Sequence, residues 1–451
     1  MDSIPSLRLE FLRHGVRNAK ELAAGLDVSQ PTISRYLAEL EKSGPGQLVR
    51  LGEGRAARYG LANPISDLGF EWPLYLITED GSPDQLGRLQ YLAGGAWHFE
   101  RSLHRINAVL CAEDFRSGIF PGLPWFLDDL RPQGFLGRSF ARIYGKELGQ
   151  GPDPTTWSPA AVAEALVRYG HDLPGAFVLG TRSLGAALTA EGVCLPASEE
   201  RAALYPRLAE EAISGQLLGS SAGGEQPKFG AMLLESGESK NFLVKFSGAM
   251  EQPEHRRWAD LLAAEHLAAE TLRDHGIPAS VGTIHDFGGR RFLEVVRFDR
   301  HGANGRVPVV SLRALDAAYY GALHTPWATA ADRLEKDGWL EVADADSLRL
   351  LGAFGQLIAN TDMHYGNVSL ILRGRHPVKL APSYDMLPMA YRPAVDGTLP
   401  ARHELPRLEP SPTASRATEL AAEFWRRVKE SGNISAGFRE IAARHAQELR
   451  G

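Results

Sequence analysis

Cysteine is nearly absent, with only Cys111 and Cys194 in 451 residues, far apart and without a partner pattern. That scarcity excludes a disulfide-stapled scaffold and a thiolate-bound zinc site, and fits a reducing compartment. Long apolar runs are missing too, since no stretch approaches the roughly 20 residues that a membrane helix needs. The opening MDSIPSLRLEFLRHG has no basic start, apolar run and small-residue cleavage site, so it does not read as a secretion signal. The expectation is a cytoplasmic protein with no membrane contact. Nor is there an excess of positive charge: the formal net charge is -6 and the pI is near 6.2. General coating of nucleic acid is thereby disfavoured, although one small domain can still bind DNA through local charge. What remains is ordinary for a globular chain, with 44% hydrophobic and 23% charged residues. The length suits roughly two to four packed units. Neither an internal repeat nor a low-complexity tract interrupts it.

Residues 1–64 carry their own punctuation and end at LANPISD, where Asn63 and Pro64 mark a boundary. Three short helices fit, through LRLEFLRHG, NAKELAAGL and SQPTISRYLAELEKSG. In the third, Ser29 is placed as the N-cap with Pro31 just inside, and Ile33, Leu37 and Leu40 form a core stripe at i, i+4 and i+7. QLVRLGEGRAARYGLA then reads as two short strands about Gly52 and Gly54, a wing. Together these resemble the winged helix-turn-helix of small bacterial repressors, which binds double-stranded DNA. Gln30, Thr32, Ser34 and Arg35 would face outward toward base edges or phosphates, and Arg50, Arg55 and Arg58 would reach the backbone or minor groove. The same module could instead serve protein docking; a two-fold operator would imply a homodimer.

Residues 65–200 read only as α/β, with LPGAFVLG as a buried strand. From 201 to about 310 the order is helix, glycine-containing loop, two strands, a longer helix near 255–275 and two more strands. The rest, 311–451, is mostly helical.

The chemistry concentrates in IANTDMHYGNVSLIL, residues 358–372. A helix with Leu350, Phe354, Leu357 and Ile358 on one face delivers Asp362, His364 and Asn367 at its end. A hairpin of VSLIL, RGRH and VKLAPSYD then returns Asp385 beside them. Oxygen ligands without cysteine suit Mg²⁺, which commonly shares its shell with substrate phosphates. The spacing Asp-x4-Asn, hairpin, Asp is how protein kinases arrange the base and two metal ligands. Taken alone, Asp362 and Asn367 read rather as caps and Asp385 as the start of a loop. Upstream, GSSAGGEQPK at 219–228 holds glycines that admit phosphate oxygens, yet it is no Walker loop, because a strand follows. Lys245 lies in the apolar strand NFLVKFS, where it needs a phosphate or carboxylate or else snorkels; Glu265 lies on the following helix as its partner or as a solvated residue. Glycine loop, strand lysine, helix glutamate, Asp-x4-Asn and Asp in this order are far more specific together than singly.

In that order the motifs resemble the HipA-like serine/threonine kinase family, the toxin arm of bacterial toxin–antitoxin modules. The likeness spans about residues 65 to 440, through LPWFLDDLRP, SSAGGEQPK, VVRFDR, NTDMHYGNVSL and LAPSYDML. It implies an α+β fold: after the winged helix-turn-helix (1–64) comes a two-subdomain, protein-kinase-like body. That body divides into an N-terminal subdomain (65–200), an ATP-binding N-lobe-like region (201–310) and a mainly helical C-terminal lobe (311–451). By the resemblance Asp362 is the base and Lys245 the catalytic lysine. Ser221, Ala222, Gly223, Gly224, Lys228, Lys245 and Glu265 serve the nucleotide phosphates, and Val296 and Phe298 the adenine. His364, Asn367 and Asp385 complete the ATP site, with Asn367 and Asp385 as Mg²⁺ ligands; on its own His364 reads rather as a satisfied structural histidine than a catalytic one. Autophosphorylation would fall on Ser220 or Ser221, where the extra Glu225 blurs the register. Val296 replaces the family's glutamate. The fused helix-turn-helix, in place of a separate antitoxin, points to the stand-alone YjjJ-like branch.

The resulting expectation is an ATP- and Mg²⁺-dependent serine/threonine protein kinase with its own DNA-binding domain. The resemblance alone implies a translation-related substrate such as an aminoacyl-tRNA synthetase. A transcriptional repressor with a regulatory kinase fold and a small-molecule phosphotransferase stay open beside it.

Overall fold

The computed structural model describes residues 3–44, 46–102, 118–189, 193–195, 198–215, 226–235, 238–323, 325–373 and 376–449. Helices Ser3–His14, Ala19–Leu26 and Gln30–Ser43 open the chain. Asn18 and Glu21 cap the second reciprocally, each side chain accepting the other's backbone N–H at 2.9 and 2.8 Å. Ser29 caps the third as expected, with Pro31 in its first turn. Leu7, Phe11, Leu22, Ile33, Leu37 and Leu40 close the core of these helices. The wing is an antiparallel pair, Leu48–Leu51 with Arg58–Leu61, extended by Arg17–Asn18.

This unit is not tethered loosely. The tip between strands Pro83–Tyr91 and Trp97–Arg101 pushes into it: Ala93 joins the helical core, and Leu92 packs with Val16, Val49 and Leu51 behind the wing. Gly94, at φ 81°, lies so close to Gly15 that a Cβ on Gly94 would stand 2.7 Å from the Gly15 Cα. Only glycine tolerates both that approach and that backbone. The chain at Asn63 is itself pinned, its N–H donating to Tyr91 O at 2.9 Å.

The middle region builds an antiparallel five-stranded sheet in the order Ile119–Phe120, Trp97–Arg101, Pro83–Tyr91, Glu71–Ile77, Phe177–Leu179. Trp72, Leu74 and Ile77 face inward; a bulge between Leu74 and Tyr75 shifts the alternation by one residue. LPGAFVLG supplies the edge strand Phe177–Leu179, buried throughout.

A second sheet follows, in the order Gly282–Phe287, Arg290–Val296, Glu238–Phe246, Lys228–Glu235, Cys194–Leu195, antiparallel except for the last pair. Its register puts Lys228, Lys245 and Leu293 on one face and Phe229, Val244 and Glu294 on the other. Helix Ser198–Ser214 covers the second face, where Tyr205, Leu208 and Ala209 meet Phe229, Val244 and Phe292. Helix Pro253–Asp274 covers the first. Being sandwiched between that sheet and helix Pro412–Glu430, it is buried on nearly every side, which its run of alanines permits. Helices Leu312–Tyr319, Trp327–Lys336, Val342–Leu357, Pro412–Glu430 and Ala436–Glu448 complete the C-terminal lobe around a small sheet of Val309–Ser311, Ser369–Ile371 and Lys379–Leu380. The α+β architecture with a helical C-terminal lobe is as expected. Among the described residues no helix is long and apolar enough to cross a membrane.

Candidate active site

Helix Val342–Leu357 ends where Ala359 adopts a left-handed conformation, φ 59°. That turn costs a non-glycine residue about 1 kcal/mol. It sends Asn360 inward, where the residue is 6% exposed. Asn360 Oδ1 accepts the Asp362 N–H at 3.0 Å, and Nδ2 donates to Asp385 O at 3.3 Å, so one amide ties the two halves of the motif together. Asn367 Nδ2 donates to Asp362 O at 2.8 Å. The backbone of Asp362 is thus held from both sides, while its carboxylate accepts no hydrogen bond among the described residues. His364 Nδ1 accepts the Gly366 N–H at 3.0 Å, which leaves the proton of the neutral ring on Nε2, on an exposed side chain. It is both a local cap and a free donor.

The expected hairpin is present: Ser369–Ile371 pairs with Lys379–Leu380 and leads to Tyr384 and Asp385. Tyr384 anchors it, donating its hydroxyl to Gly366 O at 3.0 Å and sharing a 2.7 Å hydrogen bond with Ser369 Oγ. Asp385 itself is left-handed, φ 54°. Its carboxylate meets Lys245 Nζ, which also binds Glu265 Oε1 at 2.6 Å. Lys245 and Glu265 are buried, at 4% and 3% exposure. Glu265 is therefore a partner and not a solvated residue. Lys228, buried as well, stands directly across the strand pair from Lys245.

These charges settle one another. Burial alone would lower the Lys245 pKa, but Asp385 and Glu265 outweigh it and hold the ammonium above its ordinary range. Burial would raise Asp385, yet Lys245 and Lys228 hold it below its ordinary value. Glu265 goes the other way: burial dominates and raises it, Lys245 notwithstanding. Its Oε2 is buried and finds no hydrogen-bond partner among the described residues.

The other expected residues divide. Val296 and Arg297 have spent their backbone N–H groups on Val281 O and Asn241 O, both at 2.8 Å, so an adenine would meet this segment through carbonyls or at Phe298. Phe298 stacks on Tyr384, with 5.7 Å between ring centroids. Ser220, Ser221, Ala222, Gly223 and Gly224 lie outside the described residues. In the N-terminal unit Gln30, Ser34 and Arg35 are exposed, as is Arg50. Thr32 is partly engaged, its hydroxyl 2.9 Å from that of the cap Ser29. Arg58 is exposed too, and its Nη2 donates to Val16 O at 3.2 Å, which ties the wing to the segment after the first helix. No side-chain placement is described for Arg55. Asn360 was legible only as part of the motif, yet it is the joint of the site. The Arg297, Asp299 and Arg300 side chains of VVRFDR face away from the site, into residues 172–175.

Among the described residues no three His, Cys, Asp or Glu side chains gather as a ready metal cage. An amide and a carboxylate, Asn367 and Asp385, suit a hard cation that completes its shell with water and phosphate.

Three family matches cover most of the chain: bacterial regulatory protein, arsR family, over residues 9–44; YjjJ-like toxin, middle domain, over 68–188; and HipA-like C-terminal domain, over 220–449. Toxin YjjJ of Escherichia coli (strain K12) is 34% identical over 447 residues, covering 98% of this chain and 96% of that protein. Among solved structures, a chain of the Shewanella oneidensis MR-1 HipA, HipB and operator DNA complex aligns with TM-score 0.47 and 14% identity, over 84% of this chain and 95% of that one. The Helicobacter pylori proinflammatory kinase CtkA aligns with TM-score 0.34 and 12% identity, over 50% of this chain and 87% of that one.

Proposed function

Because the chain belongs to the YjjJ-like toxins of the HipA-related family, we propose that it is a serine/threonine protein kinase using ATP and Mg²⁺, fused to a DNA-binding domain. The observation that carries this reading is the convergence of Lys245, Glu265 and Asp385 with the loop Asn360–Asn367. Asp362, backbone-clamped with an unengaged carboxylate, takes the proton of the substrate hydroxyl. Lys245 and Lys228 present adjacent cations to the triphosphate, and Glu265 keeps Lys245 in place as it exchanges Asp385 for phosphate. Asn367 and Asp385 would hold Mg²⁺, which neutralises charge on the phosphates. His364 Nε2–H offers a further donor, and Phe298 an apolar wall for adenine. Ser220 or Ser221 receives the phosphoryl group in autophosphorylation. Gln30, Ser34 and Arg35, exposed on helix Gln30–Ser43, support binding of double-stranded DNA. The substrate is a cytoplasmic protein, by family likeness one of the translation machinery.

The test is γ-labelled ATP with Mg²⁺ on the full chain beside Asp362→Asn, with mapping of the phosphosite. Asp362→Asn should lose transfer by about 10²- to 10⁴-fold with its melting temperature unchanged, because its carboxylate takes part in no hydrogen bond or ion pair among the described residues. Equal transfer by the variant would defeat the assignment of Asp362. ATP binding without transfer to any protein, alongside nucleotide-insensitive operator binding, would favour a repressor.

A further inference from the structure

Between the second sheet and the C-terminal lobe runs Arg297-Phe298-Asp299-Arg300, and its side chains turn to two different neighbours. Phe298 turns toward the site and stacks on Tyr384 at 30° between ring planes. Tyr384 in turn holds Gly366 O, inside the loop that carries Asp362 and Asn367. The three charged residues turn toward the middle region. Asp299 accepts Arg297 Nε and Nη2 at 2.9 and 2.8 Å, Arg300 Nη1 at 2.9 Å and the backbone N–H of Gly175 at 2.9 Å. Arg300 also donates to Gly175 O at 2.9 Å, Leu173 O at 2.7 Å and Asp172 Oδ1 at 3.1 Å, and Arg297 reaches the same Asp172 oxygen at 3.5 Å. Gly175, at φ 75°, is pressed against Val309, which a Cβ would meet at 3.3 Å.

The side chains of Arg297, Asp299 and Arg300 are 9%, 10% and 7% exposed. Two cations and two carboxylates face one another, with the buried Arg306 guanidinium as a third cation beside them. Apolar packing would hold two regions together as well as such a cluster does, so buried ion networks are weak devices for stability. What this one supplies is direction: forks and carboxylates admit few geometries, and they fix the segment on which Phe298 sits.

We propose that Asp172 and the Arg297–Asp299–Arg300 cluster are positioning residues for the nucleotide site, through which the middle region sets where Phe298 stands against Tyr384. This rests on the kinase reading above. The remote residue is Asp172, far from the catalytic loop in sequence, which among the described residues has no hydrogen bond or ion pair to the site's residues and reaches them through the two arginines.

The experiment uses the full-length protein and a fluorescent ATP analogue with Mg²⁺, comparing wild type, Asp172→Asn, Asp172→Glu and Arg300→Lys. Asp172→Asn and Arg300→Lys should weaken nucleotide binding about tenfold, the worth of one charge-assisted hydrogen bond. Asp172→Glu should recover part of that loss. Transfer at saturating ATP should stay within about twofold of wild type, so KM moves and kcat does not. Variants that melt lower yet bind nucleotide like wild type would overturn the proposal and leave the cluster a stability element. Should Asp172→Asn fail to fold, Arg300→Lys, which keeps its charge and gives up its fork, carries the same comparison. Amide exchange in ligand-free protein separates this idea from the kinase reading. Faster exchange at Phe298 and Asn367 in Asp172→Asn supports the clasp even where wild type takes no nucleotide, and unchanged exchange refutes it.

Discussion

Lys245→Met removes the cation from the buried cluster while keeping a flexible stem of similar length. The ammonium it deletes lies 2.6 Å from Glu265 and also contacts Asp385, on a side chain only 6% exposed. Two carboxylates would be left facing one space, one of them with an oxygen that already lacks a donor. Breaking such a pair from one side costs about 3–5 kcal/mol, a large part of the roughly 5–15 kcal/mol that holds a domain folded. The loss should depend on pH. In wild type Asp385 lies below its ordinary value because Lys245 and Lys228 overcome burial. Without Lys245 burial prevails, and with Glu265 already raised by burial, the folded variant retains protons that its unfolded chain releases. The native state then binds more protons than the unfolded state, so the variant's stability falls as pH rises from about 4 through the raised values. Urea midpoints at pH 5 and pH 8 should show a wider gap between variant and wild type at pH 8. Adding Glu265→Gln should recover about 1–2 kcal/mol of the loss, the size of coupling expected for residues in contact. A variant as stable as wild type at both pH values, or no recovery in the double variant, would refute the account of the cluster.

Other consequences are simpler to test. Gly94→Ala places a Cβ 2.7 Å from the Gly15 Cα at φ 81°, whereas Gly52→Ala, at φ 77°, meets nothing within 4 Å. Both pay the left-handed penalty of about 1 kcal/mol, so a larger drop in melting temperature for Gly94→Ala isolates the close approach, and equal drops would deny it. In DNA binding, Arg35→Ala should weaken affinity and lower the salt dependence by about one counterion. Arg58→Ala, whose guanidinium holds Val16 O, should act mainly on stability; a salt slope that falls only in Arg58→Ala would reverse that assignment.

Much of this was legible where local chemistry repeats a known pattern. Ser29 and Pro31 start a helix for reasons within four residues, and the apolar stripe of Ile33, Leu37 and Leu40 faces the core it must. The spacing from Asp362 to Asn367 and the hairpin to Asp385 likewise carry their own geometry. What could not be read depends on partners distant in the chain. Arg297, Asp299 and Arg300 are bound by residues more than a hundred positions earlier, and nothing within VVRFDR tells which side chains turn toward adenine and which away. Arg58 reads as a DNA contact, and nothing near it in the chain tells that its guanidinium also holds Val16 O. Asn360 is one polar residue among several until the turn at Ala359 aims it inward.

The tip at Leu92–Gly95 changes what a fragment of this protein would be. Its Leu92 and Ala93 are covered by the helix-turn-helix and by Val49 and Leu51 of the wing. A polypeptide begun near residue 65 would display them, along with Ile119, as an adhesive patch, and one ended there would lack the plug that closes its own core. The two halves are therefore unsuited to exchange between relatives as interchangeable beads. A graft has to carry residues 92–95 and Gly15 together, or it transplants half of a joint.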